Sequence, residues 1–147
     1  MALMFTVLWL ALLAQPAVVE RAEIFALEGE PTTALFSFER TITPTAHGQV
    51  AEVWFRDLQG QIAVYEKVTY ENDAVHRYES VQHQIGERYV LNVSGDLAVL
   101  ETEREGRTTR SAHEWTDDTI TIDQVAAYVK QNWDRLVNDE EVSFRLA

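Results

Sequence analysis

The residues best suited to bind a metal are two histidines and a glutamate with the spacing His76-x-x-Glu79-x-x-x-His83. On one face of a helix, these three side chains would form a ligand set that zinc accepts. On a strand, His76 and His83 would instead point to opposite faces, because side chains alternate. The segment 74–86 fits either structure, and we favour irregular structure with a strand. We therefore expect solvated surface histidines, no metal and no cofactor.

Sequence patterns of other catalytic sites are missing. The serines lack the G-x-S-x-G and S-x-x-K patterns of nucleophilic hydrolases, and no glycine-rich loop for phosphates or dinucleotides is present. The chain has no cysteine, which excludes thiol catalysis and thiolate zinc sites. Asp117-Asp118 does not continue as a calcium-binding EF-hand loop. We predict that the protein is not an enzyme; a hydrolytic or metal-dependent enzyme that uses His76, His83 and acidic residues is the alternative.

Aromatic side chains are abundant on the predicted strands and on one predicted helix. In a small domain most of them pack in the core, but a curved sheet covered by a helix can also enclose a ligand. We predict that some line a cavity for an apolar small molecule or lipid. The candidates are Phe36, Phe38, Trp54, Tyr65, Trp115 and Trp133.

Apolar and polar residues alternate over short segments that are separated by Gly or Asp turns, as in antiparallel strands. Strands are predicted at residues 34–42, 50–56, 62–70, 88–93, 97–103, 108–115, 119–122 and 141–146. The hairpin around Asp57-Leu58-Gln59-Gly60 has the strongest local signal. Residues 18–27 are predicted as a short helix or a loose arm.

One amphipathic helix is predicted after these strands. Its apolar stripe consists of Val125, Val129, Trp133 and Leu136. Thr121 and Gln124 fit a capping box at its start, with Asp123 as the alternative cap. We expect the stripe to pack on the sheet. The predicted fold class is mainly β (β-rich α+β): an antiparallel curved sheet, sandwich or open barrel, with one amphipathic helix near the C-terminus packed on it.

The N-terminal segment has the layout of a secretory signal peptide. Residues 1–17 carry no charge, and an apolar run is followed by Ala14-Gln15-Pro16-Ala17. The run is too short to span a bilayer. No basic residue precedes it, and Gln15 stands where a small residue is preferred, so a buried N-terminal helix or strand is the alternative. We predict a signal peptide at 1–17 and a single β-rich domain at 18–147, periplasmic or secreted, with no transmembrane segment in the mature chain. The alternating residues at the chain end suggest either truncation at the C-terminus or a last strand that closes the sheet.

The charge of the chain restricts its partners. Its 24 acidic and 12 basic residues give a net charge of −12. Such a surface repels phosphates, so we expect no nucleic-acid partner. The oligomeric state stays open.

Three segments together resemble a family of uncharacterised exported proteins of proteobacteria and cyanobacteria. They are Phe38-Glu39-Arg40, the hairpin 53–70 around Asp57-x-x-Gly60, and Asn132-Trp133-x-x-Leu136 followed by Val142-x-Phe144. Asp139 replaces the glycine that this family has after the helix, and Gln82-x-Gln84-x-Gly86 replaces its more polar central stretch. The resemblance implies export and no established activity.

The leading hypothesis is therefore a non-enzymatic periplasmic module that binds an apolar or extended ligand on a curved sheet. Besides the enzyme alternative, the sequence leaves open an envelope interaction protein that pairs through its edge strands.

Overall fold

Alternating apolar and polar residues form eight antiparallel strands, each paired with the next one in sequence. The computed structural model describes residues 17–25 and 34–147. The strands are β1 (Val18–Phe25), β2 (Ala34–Pro44), β3 (Gly48–Arg56), β4 (Ile62–Glu71), β5 (Ala74–Gln82), β6 (Glu87–Ser94), β7 (Leu97–Arg104) and β8 (Arg107–Glu114). The fold is mainly β with a short helical segment near the C-terminus, which confirms the predicted fold class.

One face of the sheet, here called the inner face, carries the hydrophobic core. A row of residues crosses it from β2 to β7, each opposite the next in register: Ile42, Ala51, Val68, Tyr78, Leu91 and Leu100. Ala51 and Val68 are completely buried. Because side chains alternate along a strand, the sequence neighbours of these residues point to the opposite side of the sheet, the outer face. The core thus lies between the inner face and the C-terminal segment.

Tight turns fix the register of the hairpins. The Asp57 carboxylate accepts backbone N–H bonds from Gln59 at 3.0 Å and from Gln61 at 2.8 Å, which holds the predicted turn. Asn72 and Asp73 between β4 and β5 both have positive φ, as a two-residue type I′ hairpin turn requires. The predicted hairpin around Asp57 is confirmed.

The C-terminal segment crosses the inner face. It contains β9 (Thr119–Ile120), a 3₁₀ turn (Ile122–Gln124), α1 (Val125–Gln131), α2 (Trp133–Val137) and β10 (Arg145–Leu146), which pairs parallel with β9. The Gln124 carboxamide accepts the Thr121 backbone N–H at 3.0 Å, as in the predicted capping box. The predicted last strand at 141–146 is wrong in extent, since only two of its residues pair.

The single long helix expected from the apolar stripe is interrupted. The backbone leaves helical geometry at Asn132, whose side chain donates to the Tyr128 carbonyl at 2.9 Å, a local bond that competes with continuous helix. Val125 and Val129 are half-buried. Trp133 is 58% exposed, so the prediction that it packs on the sheet is wrong.

The structure also settles two segments near the edge and the middle of the sheet. Residues 18–25 are not a helix or a loose arm; they form β1, because pairing with β2 satisfies their backbone groups. Residues 74–82 form a strand with a shift in its pairing to β4, and residues 77–82 also pair with β6; a turn follows. The favoured interpretation of this segment, irregular structure with a strand, therefore agrees with the structure, and the helical alternative is wrong. The predicted signal peptide lies outside the described residues except for Ala17. Among the described helices, none has the length and apolar character needed to cross a membrane.

Candidate binding cleft

A cleft of about 370 Å³ opens on the inner face between strands β1–β4 and the start of the helical segment. One part of its lining is apolar and the other charged. The apolar residues are Phe38, Val53, Phe55, Ile122 and Ala126. The charged residues are Glu20, Arg40, Glu66 and Asp123. We refer to this site as the inner cleft.

Neighbouring strands form the apolar wall of the inner cleft. Phe38 on β2 lies directly opposite Phe55 on β3, and their rings meet edge to face with centroids 5.4 Å apart. Such a pair is favourable beyond the area it buries and keeps both rings fixed. Val53, two positions from Phe55 on the same strand, is 3% exposed. The wall is therefore preformed.

An ion pair attaches the 3₁₀ turn to the sheet at the charged end. The Arg40 guanidinium donates from Nε to Asp123 Oδ1 at 2.7 Å and from Nη2 to Oδ2 at 3.0 Å. The Tyr70 hydroxyl donates to Asp123 Oδ2 at 2.6 Å, and Arg40 Nη1 reaches Glu20 at 3.1 Å. Burial opposes the charge of Arg40, but its bonds and attraction to Asp123, and then to Glu20, raise its pKa. Burial and the bond to Asp123 raise the pKa of Tyr70.

Glu66 differs from the other charged groups of the cleft because its partner is not charged. Within the described ranges, Tyr78 alone donates a hydrogen bond to its carboxylate, to Oε1 at 2.9 Å. Burial raises the pKa of Glu66; the Tyr78 hydrogen bond works in the opposite direction, and the charge of Asp123 adds to the rise. Among the described residues, no hydrogen bond reaches the second oxygen of Glu66, and this oxygen is not sealed from solvent. Glu66 is one of the residues that line the inner cleft.

The charges around the inner cleft do not balance. Three carboxylates, those of Glu20, Glu66 and Asp123, face one guanidinium, that of Arg40. Asp123 accepts bonds at both of its oxygens, so it is committed to holding the 3₁₀ turn. Glu20 is paired with Arg40 and largely exposed to solvent. Glu66 is consequently the partly buried carboxylate that is open to a further cationic or hydrogen-bond-donating partner.

The six predicted cavity residues do not come together in one place. Phe38 lines the inner cleft, and Phe36 lies two positions away on the same face, opposite Ile24 of β1. Trp54 and Tyr65 face each other on the outer face, with ring centroids 5.8 Å apart. They occupy the alternate positions of their strands and so point to the opposite face from Phe38. Phe38 and Trp54 nevertheless both line another pocket, of about 400 Å³.

The two remaining tryptophans also lie elsewhere. Trp115 packs against the core cluster and lines a second apolar pocket of about 360 Å³, beneath Leu146 of β10. Trp133 lies largely exposed on α2. The predicted cavity of six aromatic residues is therefore replaced by separate sites.

The predicted metal-binding face is not formed. His76 lies on β5 and His83 in the turn that follows it, so the helical spacing does not apply. Glu79 forms ion pairs with Arg88 at 2.8 Å and Arg77 at 3.5 Å on the outer face. Among the described residues, no group of three potential ligand side chains is placed to hold a metal ion.

Sequence reasoning missed Arg40 and Glu66, although a signal was present. Phe36, Phe38 and Ile42 alternate on β2, and Arg40 occupies the same alternating position. Glu66 similarly falls between Val64 and Val68 on β4. A charged residue in phase with the apolar residues of a strand must face the core. Asp123, in contrast, has no such periodic signal in the sequence.

Comparisons with known proteins do not assign this chain to a family or a fold group. No family model, curated protein or solved structure matches this chain.

Proposed function

We propose that this protein is a non-enzymatic binding module whose inner cleft takes a small molecule with an apolar or extended body. The observation that supports this proposal is a preformed cleft with an apolar wall of Phe38, Val53 and Phe55 and a few charged groups at one end. Small-molecule sites usually have this composition and volumes of roughly 300–1,000 Å³. The volume of the inner cleft falls in this range.

The hydrogen bonds and ion pairs of the acidic groups in the inner cleft favour binding over catalysis. Paired-carboxylate hydrolysis needs two acids that are free to act on a substrate. Asp123 is saturated by Arg40 and Tyr70, and Glu20 is paired with Arg40 and exposed to solvent, which leaves Glu66 as the partly buried carboxylate of the cleft with no cationic partner among the described residues.

Two neighbouring alanines on α1 allow a matched test of the site. Ala126 lines the inner cleft, whereas Ala127 does not. A neutral fluorescent probe, N-phenyl-1-naphthylamine, should gain fluorescence with the wild-type protein. Ala126→Trp should abolish this gain by filling the cleft, while Ala127→Trp should leave it unchanged. Equal effects of the two substitutions, or no gain with the wild type, would refute the proposal.

We also propose that the protein works outside the cytoplasm. The uncharged apolar segment at 1–17 supports export, and the first strand begins at Val18, so removal of residues 1–17 would leave β1 intact. Mass spectrometry of protein from a cell-envelope fraction of an expression host should find an N-terminus at Val18. An uncleaved chain in the cytoplasm would contradict export without affecting the proposed ligand site.

A second candidate is an interaction module that pairs through an edge strand. All eight residues of β8 are exposed, and its outer backbone edge lacks a partner strand in the described sheet. Such edges can accept a strand from another molecule. Light scattering over a range of concentrations should then show association, and Ala112→Lys on β8 should suppress it. A monomer at all concentrations would exclude pairing between copies.

A further inference from the structure

We infer that the ligand of the inner cleft has a cationic head group, a protonated amine, which pairs with Glu66 while its apolar body lies against Phe38 and Phe55. This inference rests on the proposed binding function and specifies the chemical class of the ligand. It follows from which groups at the charged end are already occupied and which are free.

The charge balance of the cleft selects the sign of the head group. Three carboxylates are compensated by the single guanidinium of Arg40, which is shared between Asp123 and Glu20. A ligand carboxylate would add a fourth negative charge to a partly desolvated site, which is unfavourable without a free cation to receive it. An ammonium group instead supplies the missing positive charge. Fatty acids are therefore expected to be poor ligands.

Hydrogen-bonding capacity selects the same chemistry. Glu66, which lines the cleft, already accepts a hydrogen bond from the Tyr78 hydroxyl at Oε1, and its other oxygen has no hydrogen-bond partner among the described residues. A carboxylate can only accept hydrogen bonds, so its new partner must be a donor. An ammonium provides three donors and a charge-assisted bond, which is stronger than a bond from a neutral hydroxyl.

The position of Glu66 relative to the apolar wall makes a two-part ligand suitable. Glu66 on β4 lies directly opposite Val53 on β3, and Phe55 is two positions further along the same strand. Because residues two positions apart on a strand are separated by roughly 6.5–7 Å, the head and the body of one short ligand can contact both. An amine on an alkyl or aryl body of about eight carbons has this reach.

Three ligands with the same body and different heads test the inference. Octylammonium, 1-octanol and octanoate are each titrated against the bound N-phenyl-1-naphthylamine. Octylammonium should displace the probe at a concentration about tenfold or more below that of octanol, the usual effect of one charge-assisted bond. Octanoate should be the weakest of the three.

Two substitutions separate a local effect of Glu66 from the overall negative charge of the protein. Glu66→Gln should reduce the affinity for octylammonium to that for octanol while leaving octanol unchanged. Glu103→Gln, which removes one charge from an exposed position on the outer face of β7, should change neither. Circular dichroism confirms that both variants fold, and the comparison of the three ligands on the wild type does not depend on either variant.

The outcomes distinguish the inference from the proposed function. Displacement by all three ligands at equal concentrations, or strongest displacement by octanoate, overturns the cationic head group while the cleft remains a binding site. If the probe binds equally well to the wild type and to Ala126→Trp, the binding function itself is wrong.

Discussion

Replacement of Asp123 by alanine removes the acceptor that holds the 3₁₀ turn against the sheet, and we expect a large loss of stability. The Asp123 side chain is 4% exposed and accepts three hydrogen bonds, two from Arg40 and one from Tyr70. The substitution leaves the charge of Arg40, whose side chain is 19% exposed, without its main partner.

The size of the expected stability loss depends on how much of the Arg40 charge is still compensated after the substitution. Removing one partner of a buried ion pair costs about 3–5 kcal/mol, because the other charge stays buried and unpaired. Arg40 keeps its contact with Glu20 at 3.1 Å, so we place Asp123→Ala at the lower end, about 3 kcal/mol. For a domain of this size, that loss corresponds to a decrease in Tm of roughly 10 °C.

Urea unfolding and a double-mutant cycle with Arg40→Met measure this contribution. Because the double variant no longer buries an unpaired charge, it should be more stable than the sum of the single losses predicts, with a coupling energy of about 2 kcal/mol. Glu140→Ala, which breaks the exposed pair with Arg135, should cost less than about 1 kcal/mol. A loss below about 1 kcal/mol for Asp123→Ala, together with additive single effects, would refute the argument.

Three further predictions concern charge, close packing and exposure. Burial raises the pKa of Glu66 above its ordinary 4.5, so the folded state binds this proton more tightly than the unfolded state does. The stability gained from the bound proton is fully present below pH 4.5 and is lost as the pH rises through the folded-state pKa. Urea unfolding should therefore show that Glu66→Gln gains stability relative to the wild type between pH 4.5 and 8. Gly48→Ala should destabilise the protein by about 3 kcal/mol in urea unfolding, since the new Cβ would lie 2.1 Å from the Tyr70 carbonyl oxygen. Trp133→Ala should change the free energy of unfolding by less than about 0.5 kcal/mol, because the side chain is 58% exposed.

Each of these predictions has an internal comparison. Glu103→Gln on the outer face should show no pH-dependent gain, and an equal gain would contradict the role of burial at Glu66. Gly60→Ala has open space for its Cβ but a positive φ, so it should cost only about 1 kcal/mol; a larger loss than at Gly48 would contradict the close approach. Trp115→Ala should be much more harmful than Trp133→Ala, since Trp115 packs against the core.

Much of the sheet could be predicted from local patterns. The strands at 34–42, 50–56 and 62–70 and their turns agree with β2, β3 and β4 within two residues at each end. Period-two alternation and the Asp57 turn are local properties of the chain, and they persist because one face of the sheet must be buried. The β1 strand was missed for the opposite reason: residues 18–25 lack a regular alternation and form a strand only because β2 offers a pairing edge.

The helical segment shows where periodicity alone fails. Val125, Val129 and Trp133 fall on one stripe, but helix periodicity does not report whether an opposing surface exists at each position. The break at Asn132 turns α2 away from a continuous stripe, and Trp133 remains in solvent. The His76 and His83 pattern failed similarly, because its meaning depended on a helix that strand pairing prevents.

By itself, the sequence determined the composition of the two sheet faces, the turns and the acidic charge, because these depend on residues close together in the chain. The inner cleft was decided by the tertiary structure. Arg40, Glu66 and Asp123 are separated by 26 and 57 positions in the sequence, and no local pattern relates them. They meet because β2 and β4 flank β3 and because a buried guanidinium requires a carboxylate, which only the returning 3₁₀ turn brings to that place.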